Sequence, residues 1–127
     1  LRYLGFGGHG YQVRDALHPA DLAPLIIKQL AFRGEEKPRI INAGGGMNNS
    51  FSLRQLTNWC REHFGFEHQV IEDGAERLYD LPWIVMDSTL ATTSWDWQPE
   101  HKLDDILLSI AEFAEKHPSW IDLSREL

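Results

Sequence analysis

Cysteine is almost absent: Cys60 stands alone among 127 residues, so no internal disulfide can form and nothing points to an oxidising compartment. Long apolar runs are missing too. None approaches the roughly 20 residues needed to cross a bilayer, and the glycine-rich start does not read as a secretory leader. Positive charge is scarce, with 12 Lys and Arg against 19 Asp and Glu and a net charge of −7. Polyanions are repelled by such a surface, which argues against a non-specific binder of nucleic acid or membrane surfaces. A small anionic ligand is not excluded, because charges beyond about 8 Å are screened at physiological salt and local arginines decide that case. The expectation is a cytoplasmic, soluble, single domain over residues 1–127. The first residue is Leu1 rather than Met and leads straight into a strand-like stretch, as expected of a piece of a longer protein.

What is present is enough apolar residue, 43%, for a modest core. "RYLGFGG" and "YQVRDAL" read as extended segments around a glycine turn. A first helix is expected near Pro19, whose missing N–H suits a first helical position, with Asp21 adding favourable charge. Leu22, Ile26 and Leu30 would share its buried face with Leu25, and Pro24 predicts a kink or a late regular start. "RIINAGGG" reads as a short buried strand. Ser52 and Gln55 then form a capping box for a second helix carrying Leu53, Leu56, Trp59, Cys60 and Phe64, which Gly65 can end. "HQVIED" reads as a strand and "LPWIVMD" as extended. "STLATTSW" spans two helical turns at most, with Asp87 or Ser88 as cap. A third main helix covers roughly 102 to 116, where Leu103, Ile106, Leu107, Ile110, Phe113 and Ala114 keep the helical period. Alternating strands and helices give an α/β fold class, mixed short strands with three main helices.

The chemistry-bearing patterns are few. Gly5, Gly7 and Gly10 match the dinucleotide fingerprint, but the segment after them is strand-like, so no helix N-terminus would meet a pyrophosphate. "AGGGMNNS" lies between a strand and a capped helix, yet lacks the Lys-Ser/Thr of a phosphate loop, and Ser50 and Ser52 have capping duties. Cys60 and His63, with His68 nearby, have no second ligand pair, so no metal site is expected. No nucleophile elbow occurs, and no tyrosine has a lysine four residues on. No catalytic residue is assigned.

That leaves arginine. Arg14 lies in an extended segment before the first helix, and Arg77 in the loop "ERLYDLP". A guanidinium is a planar fork of donors that grips phosphate oxygens in pairs and keeps its charge near neutral pH. Two readings stay open at this point. Arg14 pairs structurally with Asp15 or Asp21 and Arg77 with Asp80, or both meet an anionic ligand.

In order along the chain, "QVRDALHPADLA", "RIINAGGGMNNSFSLRQL" and "RLYDLPWIVMDSTLATTSWDWQP" resemble three segments of the extended short-chain dehydrogenases/reductases. These are the nucleotide-sugar epimerases and dehydratases, and the resemblance covers most of the chain. Within them "YLGFGGHGYQVRDALH" together with the triple glycine at 44–46 is most similar to the CDP-sugar 2-epimerase branch, with the UDP-sugar 4-epimerases more distant. The resemblance implies the C-terminal, substrate-binding portion of a larger enzyme. An N-terminal Rossmann region, absent here, would hold NAD and the Tyr-x-x-x-Lys pair; this chain would bind no cofactor and be inactive alone. Arg14 and Arg77 match positions that contact the nucleotide diphosphate, and Asp80 belongs to the same substrate-binding stretch. His18, Asp21, Asn42 and Asp87 match structural positions. Departures are Pro19, Ile84, the Trp95-Asp96-Trp97 run, and Tyr79, which stands where glycine is common in 4-epimerases. The implied partners are a nucleotide-diphosphate sugar and the Rossmann region. The chain alone is expected to expose apolar surface or to form homo-oligomers. The alternatives are a dehydratase or 4-epimerase portion, or a non-catalytic interaction module.

Overall fold

A computed structural model describes residues 1–34, 36–67, 69–75 and 78–120. Its elements, in chain order, are β1 (Arg2–Leu4), β2 (Val13–Asp15), α1 (Pro19–Ala31), β3 (Ser50–Ser52), α2 (Leu53–Phe64), β4 (Ile71–Asp73), α3 (Thr89–Trp95) and α4 (Leu103–Lys116). The fold is α/β, as the sequence pattern predicts. β1 and β4 pair in parallel with Tyr3 opposite Glu72, while β2 and β3 pair antiparallel with Arg14 opposite Phe51.

β2 is short but flanked on both edges. Beyond β3 on one side, the extended chain at 82–84 closes on the other. Val13 N donates to Pro82 O at 2.8 Å, and Ile84 N donates to Val13 O at 3.1 Å. Side chains alternate along extended chain, so Arg14 projects to one face of β2 while Val13 and Asp15 project to the other.

Helix starts follow local chemistry. Pro19 is the first residue of α1, and the Nδ1 of His18 accepts from Ala20 N at 3.1 Å, so an imidazole serves as the cap. The helix runs on through Pro24 as one element to Ala31. The capping box of α2 is present in both directions: Gln55 N donates to Ser52 Oγ, and Ser52 N donates to Gln55 Oε1. Gly65, at φ 71°, ends that helix in the left-handed region that glycine tolerates. Ser50 has a different task from the capping expected of it, donating its hydroxyl to Met47 O. The start of α3 divides the duties expected of Asp87 or Ser88. Asp87 Oδ1 accepts from both the N–H and the hydroxyl of Thr89, while Ser88 Oγ accepts from Gly44 N.

The core centres on Leu25, Ala91 and Trp97, with Leu17, Leu22, Ile41, Ala43 and Trp95 packed around them. α1 therefore faces α3 through Leu25. Its expected buried stripe fails beyond that point, because Ile26 and Leu30 are exposed, at 45% and 72%. In α4, Ile106, Leu107 and Ala111 are buried, but Ile110 and Phe113, also expected inside, are exposed. α2 has no buried residue at all. The strand expected in "RIINAGGG" is absent: no neighbouring strand pairs with it among the described residues, and Ile40 is exposed. Several large apolar side chains, Leu30, Ile40 and Leu78 among them, face solvent, which agrees with the expectation of exposed apolar surface.

Candidate functional site

The loop from Asp73 to Trp83 is fixed to the N-terminal strands at both ends. Gly5 N donates to Ala75 O at 3.1 Å on one side, and the ladder of Val13 with Pro82 and Ile84 holds the other. Between these anchors lies Asp80. Arg14 Nη2 donates to Asp80 Oδ1 at 3.3 Å, joining residues 66 apart in sequence. Asp80 is well covered, its side chain 14% exposed, while the Arg14 side chain is 41% exposed. A Cβ on Gly5 would lie 3.0 Å from the second Asp80 oxygen, so a side chain there would press the carboxylate back by a few tenths of an ångström.

This geometry decides part of the question left open by the sequence. Arg14 pairs with neither Asp15 nor Asp21; its partner is Asp80. Arg77, expected beside it, lies outside the described residues. Nη1 of Arg14 donates to its neighbour's carbonyl, Val13 O, at 2.6 Å, which further fixes the plane of the guanidinium. A guanidinium carries five N–H donors, and these contacts engage two, leaving the others on a side chain that is partly exposed. An ion pair this exposed adds little stability. Its consequence is orientation: a buried-side carboxylate and a carbonyl aim a permanent positive charge.

Asp15, on the opposite face of β2, does structural work the sequence did not suggest. Its Oδ2 accepts from Gly46 N at 2.8 Å and its Oδ1 from Met86 N at 3.2 Å. One carboxylate thus ties the glycine loop and the 81–87 stretch to β2. Gly45 within that loop lies so tightly on the backbone that a Cβ would fall 1.8 Å from Ala16 O.

Asp21 is buried at 5% exposure and holds the loop before α4. His101 Nδ1 donates to Asp21 Oδ1 at 2.6 Å, His101 N donates to Oδ2 at 3.2 Å, and Trp97 Nε1 donates to the Asp21 carbonyl at 2.6 Å. Burial pushes the Asp21 carboxyl up, but the bonds from the His101 ring and from the backbone at His101 and Glu100 outweigh it, and the net displacement is downward. The His101 ring also stacks on His18, with centroids 4.2 Å apart. Asp87 likewise titrates below the usual carboxylate range, because Thr89 bonds its charged form twice. These contacts give His18, Asp21 and Asp87 structural bonds; Asn42 makes no hydrogen bond among the described residues. His101 escaped notice in the sequence because its partner lies 80 residues away.

The remaining motifs resolve plainly. After β1 the stretch from Gly5 to Gly10 makes a short 3-10 turn, Phe6–Gly8, and β2 follows rather than the helix that the dinucleotide fingerprint requires. Cys60 borders an apolar groove of about 310 Å³ with Leu1, Leu56, Thr57, Phe64 and Phe66, and burial raises its thiol. His63 stacks on Trp59 at 4.7 Å, and His68 lies outside the described residues. Among the described residues no three His, Cys, Asp or Glu side chains gather as a metal site, and no helix is long and apolar enough to cross a membrane.

Comparison with known proteins places these features in context. No family model matches the chain. It is 29% identical over 102 residues to a CDP-paratose 2-epimerase of Salmonella typhi, covering 77% of this chain and 29% of that protein. It is 33% identical over 93 residues to a UDP-glucose 4-epimerase of Corynebacterium glutamicum, covering 72% of this chain and 27% of that one. Among solved structures it is similar to MoeE5 in complex with UDP-glucose and NAD, with a TM-score of 0.76 at 20% identity over 91% of this chain and 37% of that one. A dTDP-glucose 4,6-dehydratase of Bacillus anthracis in complex with NAD gives a TM-score of 0.65 at 23% identity, over 89% of this chain and 34% of that one. The chain therefore spans less than a third of the curated relatives' length and little more than a third of these solved chains.

Proposed function

From a chain that belongs to the extended short-chain dehydrogenase/reductase family, in its C-terminal part, we propose that residues 1–127 bind the nucleotide sugar of an NAD-dependent epimerase. The specific reading is a CDP-paratose 2-epimerase-like parent, an isomerase. Support comes from the Arg14–Asp80 pair, in which a carboxylate beside Gly5 holds the partly exposed guanidinium of β2. Arg14 would grip one phosphate of the diphosphate and Arg77 the other, each charge-assisted bond contributing about 1.5–3 kcal/mol. Asp80 would act on the ligand by holding Arg14 in place. Clamped at its phosphates, the substrate would be held still for chemistry carried by another part of the parent, an orientation role. NAD, when bound to that other part, would supply the redox chemistry of epimerisation. No residue of this chain takes a step in that chemistry, and the chain alone would be inactive.

Titration calorimetry of the 127-residue chain with CDP-glucose and UDP-glucose tests the reading. Arg14→Ala and Arg77→Ala are each expected to weaken binding about tenfold or more. Unchanged affinity in either variant removes that arginine from the site. The dehydratase likeness keeps a second enzyme reading in view, a sugar-nucleotide dehydratase or 4-epimerase. Turnover assays of the parent enzyme against CDP- and UDP-sugars separate the two.

A further inference from the structure

Directly before Asp80 stands a residue whose backbone and surroundings pull in opposite directions. Tyr79 has φ 65°, one of three non-glycine residues with positive φ among those described. That region is open to glycine and disfavoured for bulky side chains, and such strain persists only where the surrounding structure imposes it. Here the loop is imposed from both ends, by Gly5 on Ala75 and by Val13 on Pro82 and Ile84. The tyrosine is also 95% exposed and makes no hydrogen bond or ring contact among the described residues, while Leu78 beside it is 84% exposed. A large ring therefore occupies a glycine-like position and has no partner among the described residues. Its immediate neighbour carries the carboxylate that orients Arg14.

The geometry points to Tyr79 as a specificity-determining residue, its ring a stacking face for the planar base of the nucleotide whose phosphates Arg14 meets. This inference rests on the proposed nucleotide-sugar site and deepens it. An exposed aromatic ring one residue from the carboxylate that holds a cation matches a ligand that is flat and uncharged at one end and anionic next to it. Base stacking on an aromatic ring is strong enough to justify a strained, exposed side chain, and it asks only for a π-face. The hydroxyl has no assigned role, so phenylalanine should serve as well.

The experiment measures binding of UDP, UDP-glucose and inorganic diphosphate to the 127-residue chain by calorimetry, for wild type, Tyr79→Gly, Tyr79→Phe and Arg14→Ala, with a thermal melt of each. Tyr79→Gly is expected to weaken UDP and UDP-glucose alike by about tenfold, leaving diphosphate unchanged, while its melting midpoint stays at or above that of wild type. Tyr79→Phe is expected to bind as wild type does. Arg14→Ala is expected to weaken all three ligands. If Arg14→Ala weakens binding and Tyr79→Gly does not, the stacking role is overturned and the nucleotide site stands. Loss confined to UDP-glucose places the ring at the sugar and overturns it as well. A lowered midpoint in Tyr79→Gly makes the residue a structural one. Absence of binding by the wild-type chain overturns the stacking role together with the reading on which it rests.

Discussion

α1 and α2 carry the same kind of sequence signal and meet opposite fates. Both are amphipathic, and both have clear start signals. α1 sinks Leu25 into the cluster with Ala91 and Trp97, whereas α2 buries nothing fully and lays Leu56, Cys60 and Phe64 along an open apolar groove. Periodicity states that a helix has an apolar side; it does not state that the same stretch of chain supplies the cover. Around Trp97 the cover comes from elements that polar bonds bind together, through Asp21, His101 and the Trp97 indole itself. Around α2 the anchors gather at its first turns: Leu53 N donates to Gln12 O, Arg54 N to Gly10 O, Arg54 Nη2 to Glu72 Oε1, and Tyr3 Oη to Thr57 Oγ1 at 2.6 Å, while the Leu56, Cys60 and Phe64 side stays open.

The sharpest way to break this contrast is to truncate one tryptophan on each side. Trp97→Ala should cost about 3–5 kcal/mol, because it leaves a cavity and removes a buried bond to the Asp21 carbonyl. Trp59→Ala on α2 should cost about 1–2 kcal/mol, since only part of that side chain is covered. Urea unfolding of both variants measures the difference, and equal losses would mean that α2 is as closed as α1.

A smaller effect separates polar from apolar contributions on the closed side. Asp21→Asn should lose about 1.5–3 kcal/mol near neutral pH, as a charge-assisted bond to His101 becomes a neutral one. The pH dependence follows from the lowered Asp21 carboxyl. Between its folded pKa and the unfolded value of about 3.9, the unfolded chain binds more protons, so stability rises with pH there. The contribution is complete above that unfolded value and disappears as pH falls through the folded one. Wild type and Asp21→Asn should therefore converge in stability below about pH 4, in melts recorded from pH 6 to pH 2. A gap that stays constant would show that Asp21 acts through packing alone.

The smallest effect is expected on the open surface. Ile26→Ser with Leu30→Ser should change stability by no more than about 0.5 kcal/mol, because both side chains already face solvent. Self-association of the chain in sedimentation velocity should fall in the same variant. Unchanged sedimentation would show that this face of α1 does not join copies together.

Local chemistry was readable in the sequence where a few neighbouring residues decide the outcome. The Ser52–Gln55 box, Gly65 as a stop, Pro19 as a first helical residue and the short turns of α3 all belong to this kind. What could not be read depends on partners far along the chain. Arg14 had Asp15 and Asp21 as candidate partners and took Asp80, the one expected of Arg77, which reaches it because the 81–84 stretch lies against β2. "RIINAGGG" has the composition of a buried strand but no strand beside it here, so Ile41 packs on the core while Ile40 points to solvent. Tyr79 illustrates the same limit from another side. Its displacement of glycine was visible in the sequence, but the positive φ and the bare ring were visible only in three dimensions.

Asp15 gives two distant loops a common pivot. Gly46 hangs from one of its oxygens and Met86 from the other, so neither loop can shift without the remaining one feeling the pull. A residue inserted or deleted on one side would be transmitted through a single carboxylate to the opposite one, which makes their lengths a matched pair rather than two independent choices.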